Sequence, residues 1–504
     1  MPKSIFSSKK GSVSKVINAK IKEMQEDYLA DKRPWVIGYS GGKDSTVITQ
    51  LTWMAVEQLE PAKRHKPVYI VTTDTMVENP VVAIWVENSI NKINMAAKNR
   101  DLPISAHLVK PDLKDRFWVQ LLGRGYPSPR RGFRWCTDRL KIRPSTNFIK
   151  SRVSKYGDVI LLLGVRSSES AARSASIEKH RKKLSDKFQP HNDLKNCYIS
   201  SPIVDWSQDD VWQFLHKYPN PWDHSNQELQ ALYAAGSEDN ECPVVVDTST
   251  PSCGSSRFGC WVCTLVTQDK SMSAMIQNDQ DKEWMLPLLK IRDSLDFKSD
   301  EDRKKDKESR EFVRMNGKVA FYKNKEENID VVHGPYTFEK RTELLEKILS
   351  AEVQIQSQFD QEGKGQNISL IDKEELEEIR RIWIEDKKEI EDVLPKIYKK
   401  IKGKNYEGKS YRTASILDEG NLNLLQTLCG DNRREYELVR NMLVQEMKLK
   451  SKGIRRGFID ELENELSRFT YIEKQEVLKA ASDRQGLIET IELTAINDYE
   501  GVKI

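Results

Sequence analysis

The chain has 504 residues, a formal net charge of +4, 38% hydrophobic and 31% charged residues. That length exceeds one ordinary domain, the soft expectation being about three, and eleven Trp with sixteen Tyr exclude wholesale disorder. So small a net charge excludes a polycation, and any nucleic-acid role must come from local basic patches. No apolar run approaches the roughly 18 residues that cross a bilayer, and the N-terminus lacks the apolar region of a signal peptide. The expectation is a cytoplasmic protein with no membrane partner. Seven Cys in this length do not make a disulfide framework; clustered Cys in such a chain points to a metal or to redox chemistry.

Val16, Ile17, Ile21 and Met24 mark an amphipathic helix in the first thirty residues. Residues 35–39 read as a buried strand, and after a Gly-Gly turn Val47, Ile48, Leu51, Ala55 and Leu59 fall on one helical face. Strands follow at 68–72, 104–109, 159–164 and 199–204, with a helix over 83–98. Ser207 and Asp210 form a capping box that opens a helix through Leu215. Strands separated by helix-length segments predict an α/β fold with a mostly parallel sheet flanked by helices. Beyond about residue 270 the character changes to a helix-rich C-terminal region. Between Lys298 and Glu311 every residue except Ser299 and Ser309 is charged, which reads as a solvated helix or loop. Asp372 with Glu375 caps a helix carrying Leu376, Ile379, Ile382 and Trp383, further helices are expected in 431–450 and 457–492, and β excursions near 318–334. The organisation expected is an N-terminal helix (1–30), a nucleotide domain (31–235), a Cys-rich segment (236–290) and a charged, mainly helical domain (291–504).

Between the first strand and its helix stands Ser40-Gly41-Gly42-Lys43-Asp44-Ser45-Thr46. The glycines let backbone N–H groups approach an oxyanion. The helix N-terminus adds unpaired donors and a favourable dipole. Ser40 and Ser45 add hydroxyls, Lys43 a positive charge, and Asp44 is placed to hold Mg²⁺. The loop suits a terminal pyrophosphate and lacks Walker A spacing. Asp74 ends the second strand beside it, where open α/β sheets bind ligands. Arg166 follows another strand and suits a phosphate bidentately. Taken alone, Asp74 reads equally as a loop cap and Arg166 as a surface ion pair. Trp206 and Trp212 are expected to pack in the core.

The loop resembles that of the PP-loop ATP pyrophosphatase superfamily. Thr73-Asp74-Thr75 with Glu78-Asn79-Pro80, Gly164-Val165-Arg166 with Glu169-Ser170 and Arg173, and Pro202-Ile203 through Trp206 to Asp210-Val211-Trp212 are similar to the signatures of its 3′-phosphoadenylylsulfate (PAPS) reductase-like branch. The resemblance implies an adenine nucleotide alpha hydrolase-like fold. It also implies ATP with Mg²⁺ at Ser40, Gly41, Gly42, Lys43, Asp44, Ser45, Asp74, Gly164, Arg166 and Arg173, with Lys43, Asp44 and Arg166 as catalytic groups.

Cys260-x-x-Cys263, with Cys253 seven residues earlier and Cys136 distant in sequence, can supply four ligands to a [4Fe–4S] cluster. Zinc accepts the same set, and Cys260 with Cys263 also suits thiol–disulfide chemistry. The resemblance favours iron–sulfur, although Trp135 stands where cluster-bearing adenylylsulfate reductases carry the first Cys of a pair. Cys253 is expected to supply that ligand, with Cys242 competing; Cys197 and Cys429 are expected in the core. Sulfonucleotide reductases also carry a catalytic Cys near their C-terminus, whereas the last Cys here is Cys429.

Arg124, Arg130, Arg131, Arg134, Arg139, Lys141 and Arg143 face one acid in their own segment, Asp138, with Tyr126, Phe133 and Trp135 between them. That pattern suits a nucleic-acid backbone and equally a small phosphorylated substrate. Lys448, Lys450, Lys452, Arg455 and Arg456 read as a helix C-terminus favoured by the dipole, and Lys179 to Lys183 as a solvated loop. Domain, cysteines, length and charged extension together resemble the ATP-dependent sulfurtransferases of bacterial DNA phosphorothioate modification. That family implies DNA as substrate, a cysteine desulfurase as sulfur donor, other phosphorothioation proteins as partners, and a place in DNA modification of the restriction-modification kind. The alternatives are a PP-loop sulfurtransferase acting on RNA or a small molecule, a PAPS reductase-like oxidoreductase, and a non-catalytic ATP-holding subunit.

Overall fold

In a computed structural model, the residues described are 6, 13–167, 188–235, 259–323, 329–365, 367–389, 391–409, 419–430, 432–452, 457–469, 475–476 and 478–479. Arg173, Cys242, Cys253 and Lys179 to Lys183 lie outside them. The chain divides into two units, one of Met1–Phe117 with Arg134–Arg292 and one of Trp118–Phe133 with Asp293–Ile504.

In the first unit the apolar runs become a six-stranded sheet. The strands are β1 (Trp35–Gly38), β2 (Val68–Thr73), β3 (Ile104–Val109), β4 (Val159–Leu162), β5 (Gln189–Pro190) and β6 (Cys197–Ser200), in the order β3-β2-β1-β4-β6-β5. Trp35 pairs with Val68 on one side and Ile160 on the other, and Val159 pairs with Cys197, all in parallel. Only the short β5 runs antiparallel, on the edge beyond β6. Sequence order reverses between β1 and β4, so the crevice at their carboxyl ends is the topological switch point where such sheets bind ligands.

Helices flank the sheet for the reasons their sequences give. Helix α1 (Val13–Leu29) buries Ile17, Ile21, Met24 and Tyr28, and these residues share one apolar core with β1 and with α2 (Lys43–Glu57). The N-terminal helix is thus part of the first unit. Helix α3 (Pro80–Asn99) starts at Pro80, with the Asn79 side chain accepting from Val81 N–H at 3.0 Å. Helix α4 (Arg143–Tyr156) follows β3, and α5 (Gln208–Lys217) opens on the expected Ser207–Asp210 capping box. Helix α6 (Asn226–Ala235) follows. Trp206 is buried and Trp212 packs against the same core.

Two expectations need correction here. The strand expected over 199–204 lies instead at 197–200. Pro202 cannot donate to a ladder, and the chain turns, with Val204 N–H bonded to Ser201 O at 3.2 Å and Trp206 N–H to Ile203 O at 2.9 Å. Cys197 is buried as expected, but Cys429 is only partly buried.

The second unit builds a helical core on Leu344, Leu345, Ile348, Ile379, Ile382 and Trp383. The segment 118–133 is stitched into it: Trp118 indole N–H donates to Leu370 O at 2.7 Å, Trp383 indole N–H to Leu122 O at 2.8 Å, and Arg341 to Gly123 O at 3.2 Å. Phe321–Lys323 and Ile329–Val331 pair as an antiparallel ribbon, and Asp372 with Glu375 caps the helix Lys373–Arg381. Further helices occupy Arg433–Lys452 and Phe458–Arg468. The charged run forms the helix Asp300–Glu308 on a Ser299–Asp302 capping box. It is not wholly solvated, because Asp306 and Arg310 are buried and paired at 3.4 Å. Among the described residues no helix is long and apolar enough to cross a membrane.

Candidate active site

The loop after β1 turns at Gly41 (φ +76°) and enters α2 through Gly42, which caps the helix without any side-chain bond. The two serines expected to meet an anion also brace the loop. Ser45 Oγ donates to Gly42 O at 2.9 Å, accepts from Ser40 N–H at 3.2 Å, and lies 3.1 Å from Ser40 Oγ. Lys43 N–H donates to the Tyr233 hydroxyl at 3.1 Å, and the Lys43 ammonium lies 5.1 Å from the centre of the Tyr233 ring. Tyr233 comes from α6, 190 residues downstream, and no local pattern announces it.

Arg166 reaches this loop from the end of β4. Its Nε bonds Asp44 Oδ1, its Nη2 lies 3.4 Å from Asp44 Oδ2, and the Lys43 ammonium stands 3.6 Å from the same carboxylate. All three side chains are buried. The structure therefore joins the three groups expected to be catalytic, but Asp44 and Arg166 hold each other. A buried pair with this geometry costs several kcal/mol to break from one side. Gly164 explains the closeness: a Cβ there would fall 2.8 Å from Asp44 C and O.

Asp74 follows β2, with its N–H on Val109 O at 2.9 Å. Its carboxylate accepts from Met76 N–H at 2.8 Å and meets Lys110 at 3.6 Å, so a loop cap and an ion pair coexist there. The cysteine segment is tied to the same loop by main-chain bonds. Asn79 N–H reaches Gly259 O at 3.3 Å and Trp261 N–H reaches Val77 O at 2.9 Å, with Glu78 opposite Cys260. Side chains add to this: Thr75 Oγ1 donates to Glu78 Oε1 at 2.9 Å and lies 3.4 Å from Cys260 Sγ.

Cys136 immediately precedes the π-helical turn Thr137–Ile142, a form frequent at functional sites. Lys141 in that turn lies 4.0 Å from Glu78. Burial works against the Lys141 charge, but Cys260, Glu78, Cys263 and Cys136, in that order, more than offset it and raise its pKa. Burial, helped by Cys263, pushes the Cys136 thiol up to about 11. Burial and then Glu78 push the Cys260 thiol higher than that. Cys136, Cys260 and Cys263 thus gather around one lysine beside the Asp74 loop. Among the described residues no group of three or more His, Cys, Asp or Glu side chains is disposed to hold a metal ion. The thiols supply the donor chemistry of a cluster without a closed coordination site, and the expected fourth ligand, Cys253, is outside the described residues. The sequence gives no signal of these roles for Thr75, Glu78 and Lys141: Thr75 and Glu78 stand within the motif around Asp74, and Lys141 within a basic run.

That run is divided. Arg124, Arg130 and Arg131 belong to the second unit, and Arg134, Arg139, Lys141 and Arg143 to the first. In the first unit it meets more acid than its own segment carries: Arg139 and Arg143 lie 3.6 and 3.1 Å from Asp115, and Arg143 lies 2.6 Å from Asp138. A cavity of about 280 Å³ opens there at the carboxyl end of β3, lined in part by Lys110, Asp112, Asp115, Arg143 and Asn147.

Residues 34–266, a little under half of the chain, match the model of the phosphoadenosine phosphosulfate reductase domain. An uncharacterized protein of Methanocaldococcus jannaschii is 26% identical over 200 residues, which cover 40% of this chain and 35% of that protein. The chain thus matches about a third of that relative's length. Among solved structures, an FMN adenylyltransferase of Candida glabrata is 12% identical over 42% of this chain and 60% of its own, with a TM-score of 0.26. A U34-tRNA thiolase, NcsA, of Methanococcus maripaludis with its [4Fe-4S] cluster is 13% identical over 56% of this chain and 79% of its own, with a TM-score of 0.28. TM-scores this low carry no argument about activity. The match covers the same segment as the β1–α2 loop, Asp74, Arg166 and the Cys260 turn, so residues 34–266 are similar to a phosphoadenosine phosphosulfate reductase domain.

Proposed function

We propose that the chain is a DndC-like, ATP-dependent sulfurtransferase of DNA phosphorothioate modification. The observation that carries this reading is the main-chain pairing of the Cys260 segment with the loop that holds Asp74, because it supports a site in which cysteines stand next to a loop read as nucleotide-binding, within one unit. A non-bridging phosphate oxygen of DNA attacks the α-phosphorus of ATP, and pyrophosphate leaves. The oxygen now belongs to AMP, a good leaving group. Sulfur at the sulfide level attacks the activated phosphorus, and AMP departs with that oxygen. With sulfide no electrons are exchanged; with a persulfide donor, as from a cysteine desulfurase, the outer sulfur attacks, and a second thiol then cleaves the S–S bond and leaves as the disulfide with the donor cysteine.

This chain's residues have defined tasks in that scheme. The backbone from Gly41 to Ser45 and the Lys43 ammonium meet the departing pyrophosphate, where charge builds up. Arg166 and Asp44 give up part of their mutual bond, Arg166 to a phosphate and Asp44 to Mg²⁺. Cys136, Cys260 and Cys263, with Cys253 as the fourth, would hold a [4Fe–4S] cluster, which when bound supplies iron for sulfur; Lys141 balances the thiolate charge. Lys110 and Arg143 at the cavity beside β3 suit the flanking backbone phosphates of DNA.

The test is an anaerobic reaction with ATP, Mg²⁺, a sulfide source and, in parallel, duplex DNA, tRNA or free nucleotides, read by mass spectrometry. Phosphorothioate in the DNA alone is expected. Thiolated tRNA would instead make it an RNA sulfurtransferase.

A further inference from the structure

We propose that Trp85 is a positioning residue of the pyrophosphate loop, setting the direction in which Gly42 N–H is presented. The inference rests on the reading that this loop binds pyrophosphate. Gly41 lies directly on α3, where a Cβ would fall 2.5 Å from Val86 Cγ2 and 3.5 Å from Trp85 Cδ1. The backbone there is within reach of the Trp85 indole, whose N–H donates to Gly41 O at 3.2 Å. Among the described residues every peptide bond is trans. In a trans peptide the carbonyl of one residue and the N–H of the next point in opposite directions. Holding Gly41 O against α3 therefore sends Gly42 N–H to the far face of the loop, where Ser40 Oγ lies 3.4 Å from it. A flipped peptide would instead aim a carbonyl oxygen at that face, where it repels an anion. Gly41 at φ +76° has the backbone freedom to make such a flip, so the orientation depends on the bonds at the two ends of this peptide, Gly42 N–H to Ser40 Oγ at 3.4 Å and the shorter Trp85 indole N–H to Gly41 O at 3.2 Å.

The indole is itself fixed. It is buried, and His224 stacks on it with ring centres 3.5 Å apart and planes 23° apart. His224 Nδ1 lies 2.5 Å from Ser89 Oγ, one turn along the same helix. Indole has a single donor and no acceptor, so this packing leaves Trp85 one polar task, which is Gly41 O.

The test uses the full chain and isothermal titration with inorganic pyrophosphate, ATP and adenosine. One hydrogen bond of ordinary net strength biases a peptide flip by about five- to tenfold. Trp85→Phe is therefore expected to weaken pyrophosphate and ATP alike, by up to about five- to tenfold as the flipped peptide becomes populated, and to leave adenosine unchanged. Should Trp85→Phe not fold, 3-benzothienylalanine at position 85 keeps the shape and drops the N–H, with the same expected shift. Unchanged pyrophosphate affinity, or an equal loss for adenosine, overturns the inference while the nucleotide reading stands. A wild-type chain that binds adenosine but not pyrophosphate sinks that reading, and the inference with it.

Discussion

Gly164→Ala puts the closeness of β4 and the β1–α2 loop to a direct test. The added Cβ would lie 2.8 Å from Asp44 C and O and 3.0 Å from Ser45 N, where carbon contacts settle at about 3.5–4.0 Å. About 0.7 Å must be absorbed, and the atoms in the way are backbone, not the end of a flexible side chain. Asp44 cannot simply retreat, because Arg166, two residues beyond Gly164, holds its carboxylate. Overpacking of this kind costs about 1–3 kcal/mol, which in a domain of this size lowers Tm by roughly 2–12 °C. The displaced atoms belong to the first turn of α2, so pyrophosphate release should fall by about tenfold or more. Thermal unfolding and a coupled pyrophosphate assay read the two effects. A variant with wild-type Tm and wild-type turnover would refute the packing argument.

Burial pushes the His224 pKa down to about 4, with Lys92 adding to it; free histidine titrates near 6.5. The fold binds fewer protons than the unfolded chain, so this stability, about 3 kcal/mol, is full above pH 6.5 and is lost as pH falls towards 4. Urea unfolding at pH 7 and pH 5 should show the loss, and His224→Gln should flatten the dependence. Asp44→Asn leaves Arg166 buried without its partner and should cost about 3–5 kcal/mol. The double variant Asp44→Asn, Arg166→Met should regain part of that stability but no activity; a double variant no more stable than Asp44→Asn argues against the pair. Anaerobically purified protein should carry about four irons and four sulfides and lose them in Cys260→Ala; zinc, or intact iron in the variant, counts against the cluster.

The β1–loop–α2 unit was legible because strand, glycines and apolar helical face are local signals that agree. Asp74 and Arg166 were legible as residues ending strands. Their actual partners were not, since Asp44 and Arg166 are 122 residues apart, and such a pairing leaves no period in the sequence. The same holds for Tyr233 on Lys43, for Thr75 and Glu78 against Cys260, and for the passage of 118–133 into the second unit. Buried Asp306 and Arg310 were hidden by their own charge: a run of acids and bases reads as solvated whether or not two of its members pair inside.

The central claim is that the β1–α2 loop directs cleavage of ATP between its α- and β-phosphates. The most direct measurement is the identity of the products when the full chain is incubated with Mg²⁺, DNA and ATP labelled at the α-phosphate. AMP with pyrophosphate is the predicted result, abolished by Lys43→Ala. ADP with inorganic phosphate would contradict it.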